Sequence, residues 1–158
     1  MKIYNIVIIG VGQIGSRHLQ ALKKLDFDVN VEVVGRSYDS LEISKSRYDE
    51  LPKNNHIKSI NYYNSMDLLS ENIDIAIIAT NSDVRKDIVY KLVMTKNVNN
   101  IILEKVTFPS TDDFIPILSL LKEKSIQSWV NCQQRTYEHY MNIKKSLILL
   151  KRISSMNI

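Results

Sequence analysis

Cysteine, glycine and long apolar runs are the scarce features of this sequence. A single cysteine, Cys132, excludes an internal disulfide and leaves no second thiol for a metal site. No apolar run reaches the ~18 residues that a membrane-spanning helix requires. The apolar stretch at residues 3–9 is too short for a signal-peptide core, and no small-residue cleavage site follows it. We therefore expect a cytoplasmic protein with no membrane segment and no metal centre.

Excess charge is also small over most of the chain. The 158 residues carry a formal net charge of +4, and residues 136–158 contribute +3 of it. The remainder is almost neutral and lacks the basic stripe that nucleic-acid binding needs. With 44% hydrophobic and 24% charged residues, the composition is that of one globular domain of ordinary size. The sequence therefore argues against a nucleic-acid partner.

Only four glycines occur, and three of them lie in one hexapeptide, Gly10-Val11-Gly12-Gln13-Ile14-Gly15. Glycine is used where the backbone must turn or be approached closely. The preceding residues 3–9 are almost uniformly apolar and β-branched, which is typical of a central parallel strand. Apolar residues after the hexapeptide recur at helical spacing, which predicts a helix over residues 14–25.

The rest of the chain repeats this alternation of strand and helix. Such alternation predicts an α/β fold, a doubly wound parallel sheet of about six strands with helices on both faces. The expected strand order is 3-2-1-4-5-6, which places a ligand at the carboxyl ends of the strands near the switch point. The predicted strands are residues 3–9, 29–34, 57–62, 74–80, 100–103 and 127–132, and the predicted later helices are residues 41–51, 83–96, a helix capped by residues 110–113 and ending near 124, and 137–150.

The hexapeptide matches the Gly-x-Gly-x-x-Gly pattern of dinucleotide phosphate loops in the strand–loop–helix context that the pattern requires. In such loops the first glycine permits the turn, the second the approach of phosphate, and the third the packing of helix on strand. Free N–H groups at the helix start, at Gln13 and Ile14, would face the anion. We predict a nicotinamide dinucleotide site that includes Gly10, Gly12 and Gly15. The alternative interpretation is that the hexapeptide is a glycine-rich turn that binds no ligand.

The end of the second predicted strand, Gly35-Arg36-Ser37, bears on which dinucleotide is bound. NAD-binding domains place an acidic residue about 20 residues beyond the loop, where it binds the ribose 2′-hydroxyl. This chain has no carboxylate there until Asp39. Arg36 can pair with a 2′-phosphate and Ser37 can donate to it. The pattern favours NADP(H), with NAD(H) possible, unless Arg36 is only a solvated loop residue.

Four stretches together resemble the glucose–fructose oxidoreductase/inositol dehydrogenase (Gfo/Idh/MocA) family. The resemblance covers nearly all of residues 1–150. It implies an N-terminal NAD(P)-binding Rossmann domain and hydride transfer between a nicotinamide and a sugar or cyclitol. The stretches are GVGQIGSRHLQAL at residues 10–22, DIAIIATNS at 74–82, ILEKVTFPS at 102–110 and VNCQQR at 130–135.

The resemblance also implies roles for residues after the later strands. The lysine of the family's E-K-P segment reaches the nicotinamide and the reacting carbon, which implies a catalytic and cofactor-binding role for Lys105, with Glu104 beside the cofactor. Thr80 and Asn81 match the turn that lies along the cofactor. From the residues alone, Lys105 would be a surface lysine and the other two would be helix caps. His18 either lines the phosphate site or packs beneath it.

Three residues depart from the family's pattern. Asn81 stands where the turn usually has proline, Arg85 where histidine is frequent, and Val106 in place of the E-K-P proline. Loss of that proline affects the placement of Lys105 more than the binding of a cofactor.

Family members carry a second α/β domain that covers the substrate. We expect residues 1–135 to be the NAD(P)-binding domain and residues 136–158 an interdomain helix and tail, with the substrate domain missing. Such a chain would bind cofactor but have low activity alone. The alternative is a non-enzymatic NAD(P)-binding sensor or a subunit completed by a partner, with a possible homo-oligomer. An epimerase is not favoured because its Tyr-x-x-x-Lys spacing occurs only at Tyr140 and Lys144, beyond the last predicted strand.

Overall fold

The computed structural model describes the backbone of residues 2–156, and the side chains of these residues except residue 135 and residues 149–156. The end of the predicted tail, residues 157–158, lies outside the described residues. Six strands and five α-helices occupy the described part. They are β1 Tyr4–Ile9, α1 Gln13–Leu22, β2 Val29–Val34, α2 Tyr38–Asp49, β3 Ile57–Tyr63, β4 Asn72–Ile78, α3 Ser82–Thr95, β5 Asn97–Glu104, α4 Phe114–Glu123, β6 Gln127–Asn131 and α5 Glu138–Met156.

All six strands form one parallel sheet in the order β3-β2-β1-β4-β5-β6. The predicted fold class and strand order are thus confirmed. The chain leaves β1 to build one half of the sheet and then returns to β4 on its other side. This reversal opens a crevice at the carboxyl ends of β1 and β4, where ligands bind in open α/β sheets.

The apolarity of the central strands follows from burial on both faces of the sheet. Residues 6–9 of β1 are all buried, and Val7 and Ile8 are fully so. Two hydrophobic cores flank the sheet. One packs β4 and β5 under α3 and α4, and the other packs β1 and β2 under α1 and α2. This two-sided packing holds the strand ends, and the loops that leave them, in fixed positions.

Several element ends differ from the sequence prediction. Helix α2 begins at Tyr38 instead of residue 41, because Ser37 and Ser40 form a reciprocal capping box that starts the helix earlier. Strand β5 begins at Asn97, three residues before its predicted start, because polar residues can pair at the sheet end. Pro116 lies in the first turn of α4, where its missing N–H leaves no helical hydrogen bond unmade.

Strand β6 and helix α5 are the least buried elements. Four of the five residues of β6 are exposed, as befits an edge strand. The described side chains of α5 are exposed as well, and its main contacts are with the short 3-10 turn Gln133–Thr136 before it. Within the described residues, no helix combines the length and apolarity needed to cross a membrane.

Candidate functional site at the carboxyl ends of the strands

The glycine loop joins β1 to α1 at the switch point. Gly10 has a φ of 94°, and a Cβ on it would lie 2.8 Å from backbone atoms of Ala79 and Thr80. A Cβ on Gly15 would lie 1.8 Å from the carbonyl oxygen of Gly10. A Cβ on Gly12, in contrast, would meet no atom within 4 Å. Two glycines therefore permit tight packing, and Gly12 leaves an open face on the loop.

The first turn of α1 offers uncommitted N–H donors beside that open face. Gly12 is the N-cap residue, no side chain caps the helix, and the first turn contains no acidic residue. First-turn N–H groups have no partner within a helix, so those of Gln13 and Ile14 can bind a ligand. The helix dipole adds partial positive charge at this end. The loop and the helix start therefore fit an anion such as the pyrophosphate of a dinucleotide.

Arg36 and Ser37 follow β2 and lie next to the glycine loop. A Cβ on the preceding Gly35 would lie 2.7 Å from the Val11 side chain. Arg36 is exposed and forms no salt bridge within the described part of the chain. The Ser37 hydroxyl accepts a hydrogen bond from the Ser40 N–H at 3.3 Å and retains its own proton for donation. The side chains of Arg36 and Ser37 are therefore both available to bind a phosphate.

The turn after β4 lies against the glycine loop. The Ala79 N–H donates to the Ile9 carbonyl at 2.8 Å, which ties this turn to the end of β1. The Thr80 hydroxyl is buried and has no hydrogen-bond partner among the described residues. Asn81 occupies the N-cap position of α3, but its side chain makes no capping bond. The capping role expected of Asn81 from the residues alone is therefore wrong, and its amide is not committed to the helix.

Glu104, at the end of β5, is held in a polar cluster. Its Oε1 lies 2.6 Å from His18 Nε2 on α1 and also accepts a hydrogen bond from the Asn131 side chain at the end of β6. Burial opposes ionisation, but the hydrogen bonds from Asn131 and His18 outweigh it and hold the pKa of Glu104 below its usual range. His18 thus packs against Glu104, and its place at the phosphate site stays a prediction. Cofactor binding by Glu104 stays a prediction.

Lys105 follows Glu104 and is exposed. The peptide bond that joins it to Val106 is cis. Lys105 borders a cleft of about 320 Å³. The same cleft is lined by Ile14 from the start of α1 and by Thr80 and Asn81 from the turn after β4. The structure therefore brings three separately predicted segments to one cleft.

Arg85, on α3, is a buried residue of this site that the sequence analysis noted only as a departure from the family pattern. Only 2% of its surface is exposed, and its guanidinium donates to the carbonyl oxygens of Thr80, Glu104, Val106 and Thr107. A signal for its burial was present, since Arg85 falls in helical register with the buried stripe of α3, which comprises Val89, Leu92 and Val93.

Other candidate sites are weaker. Among the residues that the structure describes, no group of three His, Cys, Asp or Glu side chains is placed to hold a metal ion. A larger cavity of about 660 Å³ runs along α5, but its lining is mostly apolar and includes none of the loop residues described above. The unpaired donors described above, at the start of α1, at Arg36 and at Lys105, lie instead at the carboxyl ends of the strands.

A sequence model of the Gfo/Idh/MocA family, an oxidoreductase family with an NAD-binding Rossmann fold, matches residues 4–132. The chain belongs to this family. No curated protein matches the sequence. Membership in the family makes this the NAD-binding Rossmann domain of an oxidoreductase family.

Solved structures with the same fold include longer dehydrogenases. The WlbA dehydrogenase of Chromobacterium violaceum, in complex with NADH and UDP-GlcNAcA, has a TM-score of 0.76 at 15% identity, covering 92% of this chain and 40% of its own. The myo-inositol 2-dehydrogenase of Lactobacillus plantarum has a TM-score of 0.71 at 18% identity, covering 92% and 41%. An oxidoreductase of Desulfitobacterium hafniense, described as NADPH-dependent, has a TM-score of 0.71 at 18% identity, covering 92% and 39%. This Gfo/Idh/MocA chain thus spans about two fifths of their length.

Proposed function

We propose that this Gfo/Idh/MocA chain is the NADP(H)-binding half of an oxidoreductase that transfers a hydride between a nicotinamide and a sugar or cyclitol carbon. The observation that carries the proposal is the meeting of an uncapped helix start, exposed Arg36 and exposed Lys105 at one edge of the sheet. These groups match the pyrophosphate, the 2′-phosphate and the nicotinamide end of the cofactor in turn.

The phosphate contacts rest on donors that the fold leaves unused. The N–H groups of Gln13 and Ile14 would hold the pyrophosphate, and the open face at Gly12 gives it room. Arg36 would pair with the 2′-phosphate, and Ser37 would donate its hydroxyl proton to the same group. Arg36 stands where NAD-binding domains place a carboxylate. A 2′-phosphate bound there would therefore not be repelled by a negatively charged side chain.

The nicotinamide, when bound, supplies the carbon that accepts or donates hydride. Lys105 would direct its ammonium at the substrate oxygen, orient the hydroxyl or carbonyl, and stabilise negative charge that develops there. Thr80 and Asn81 would bind the cofactor along the turn after β4, where the Thr80 hydroxyl lacks a protein partner among the described residues. Lys105 is thus the residue to which we assign a catalytic role.

The substrate class and the organisation of the chain are part of the proposal. Two structural neighbours are an inositol dehydrogenase and a dehydrogenase solved with a nucleotide sugar, which supports a cyclitol or sugar substrate. Residues 1–135 would form the dinucleotide domain and residues 136–158 an interdomain helix and tail. Because the neighbours are more than twice as long, we expect the 158 residues alone to turn over slowly. A reducing cytoplasm is the proposed location.

Cofactor choice is tested by titrating the chain with NADPH and with NADH while following nicotinamide fluorescence. We expect NADPH to bind more tightly than NADH. In Arg36→Asp this preference should fall by about tenfold or more, because a charge-assisted contact with the 2′-phosphate is lost and a repulsive carboxylate is added. Lys45→Asp is the matched control, because Lys45 is an exposed cation on α2 and the net charge change is equal. An unchanged preference in Arg36→Asp would contradict the 2′-phosphate role.

A further inference from the structure

Arg85 is a buried cation without a carboxylate partner. No Asp or Glu forms a salt bridge with it in the described part of the chain. Burial lowers the pKa of its guanidinium, and its buried Nε has no hydrogen-bond partner there. A buried charge is costly unless it is fully paired, so its presence requires a structural reason.

That reason lies in the positions of its four acceptors. Nη2 donates to the carbonyl of Thr80, in the turn after β4. Nη1 donates to the carbonyls of Glu104, at the end of β5, and of Val106 and Thr107, in the segment that follows it. One side chain therefore joins two segments that both line the cleft.

Lys105 lies inside the segment that Arg85 holds. Carbonyl groups before and after it are bound to the guanidinium, whereas the exposed Lys105 side chain forms no hydrogen bond with a described residue. The position of its Cα, from which the side chain extends, is therefore set by the backbone of residues 104–107. Val106 does not fix its own φ as a proline would, so the restraint must come from elsewhere.

We propose that Arg85 is a positioning residue that clamps residues 104–107 against the turn after β4 and thereby holds Lys105 over the nicotinamide end of the cleft. The inference rests on the proposed function, because it takes that cleft to be the cofactor site. It adds a residue that lines the same cleft and whose guanidinium is bound to the backbone on either side of Lys105.

The clamp needs the shape of arginine as well as its charge. A guanidinium carries five N–H donors in a rigid planar fork, which lets it bind carbonyls on two segments at once. A lysine ammonium at the same position is a single point of donors on a flexible stem. Arg85→Lys therefore preserves the charge and removes the bridge.

The test uses the full chain with lysine labelled with carbon-13 at Cε, in which the Lys105 signal is identified by its loss in Lys105→Arg. Two ligands are compared, NADPH and its adenosine-side fragment 2′,5′-ADP. In the unmodified chain, we expect NADPH to move the Lys105 signal and 2′,5′-ADP not to. In Arg85→Lys, the response to NADPH should be largely lost, while the Kd for 2′,5′-ADP stays within about twofold, since none of the hydrogen bonds of Arg85 reaches the glycine loop or Arg36.

Two control variants sharpen the result. Lys86→Gln alters the next residue of α3, whose ammonium pairs with Asp113 at 2.6 Å, and should leave both measurements unchanged. Val106→Gly loosens an exposed position of the segment but keeps Arg85. It should retain the Lys105 response to NADPH. If Arg85→Lys does not fold, the response measured in Val106→Gly is the result that tests the positioning role of Arg85.

A full Lys105 response in a folded Arg85→Lys would overturn the inference and leave the proposed function intact. Loss of the response in Val106→Gly would also overturn it, because the restraint would then lie in the valine backbone. Failure of the unmodified chain to bind NADPH is a different result. It would overturn the proposed function and this inference together.

Discussion

At Gly15 and Gly12 the same side chain, a single hydrogen atom, serves two purposes. Gly15 lets α1 begin against the end of β1, where a Cβ would stand 1.8 Å from a carbonyl oxygen. Gly12 faces open space, so the fold does not require a glycine there, whereas the proposed phosphate site does. We therefore expect Gly15 to affect stability and Gly12 to affect binding.

These two positions predict opposite mutant behaviour. Gly15→Ala should lower the free energy of unfolding by about 1–3 kcal/mol or more, because the added methyl must push the helix off the strand. Gly12→Ser should keep the free energy of unfolding, because serine is a preferred N-cap, but weaken NADPH binding by filling the open face and occupying a helix N–H. Urea unfolding and fluorescence titration measure the two effects. Equal loss of stability in both variants would contradict this division.

Contacts between residues that are far apart in the sequence could not be predicted from the sequence alone. The glycines and Lys105 were recognisable because each belongs to a local pattern. The pairing of His18 with Glu104 joins residues 86 positions apart, and no local pattern reports it. Arg85 binds carbonyls 19 to 22 positions later, although its helical register did indicate a buried face.

At the scale of elements, periodicity predicted the strands and helices well and their ends less well. The carboxyl halves of the central strands are apolar because both faces of the sheet are covered there, which made β1 and β4 recognisable from the sequence. Ends depend on capping side chains and on pairing at the sheet margin, as the early start of α2 at the Ser37 cap illustrates. Such contacts decide two or three residues at each boundary.

Helix α5 is expected to be dispensable for the stability of the sheet. Neither hydrophobic core includes one of the described side chains of α5, residues 138–148, and the main contacts of the helix are with the adjoining 3-10 turn. A chain ending at Tyr137 should unfold within about 4 °C of the full chain, because little buried area is lost. Circular dichroism during heating measures this. A chain ending at Ser125, which lacks β6, should be clearly less stable. Equal destabilisation by both truncations would contradict the predicted boundary near residue 135.

At the scale of the whole molecule, Glu104 links three parts of the sheet edge. It joins the end of β5 to α1 through His18 and to β6 through Asn131. The folded state depresses the pKa of Glu104 below its ordinary value of 4.5, so the unfolded chain binds this proton first as pH falls. The contribution of Glu104 to stability is therefore present above pH 4.5 and is lost as the pH falls through the folded pKa.

Glu104→Gln isolates this contribution. The variant should be less stable than the unmodified chain at pH 7, and the difference should shrink as the pH falls below 4.5. Urea unfolding at a series of pH values measures it. Asp67→Asn is the matched control, because Asp67 is largely exposed and its pairing with Lys91 is a surface one. A difference that stays constant with pH would contradict the assigned role of the carboxylate.

The most direct test of the binding site is a nuclear magnetic resonance titration of the nitrogen-15-labelled chain with NADPH. We expect the largest amide shifts at the glycine loop and the start of α1, at Arg36 and Ser37, at the turn after β4, and at Lys105. We expect little change along the cavity beside α5. Shifts confined to that cavity, or no shifts at millimolar NADPH, would contradict the proposed binding site.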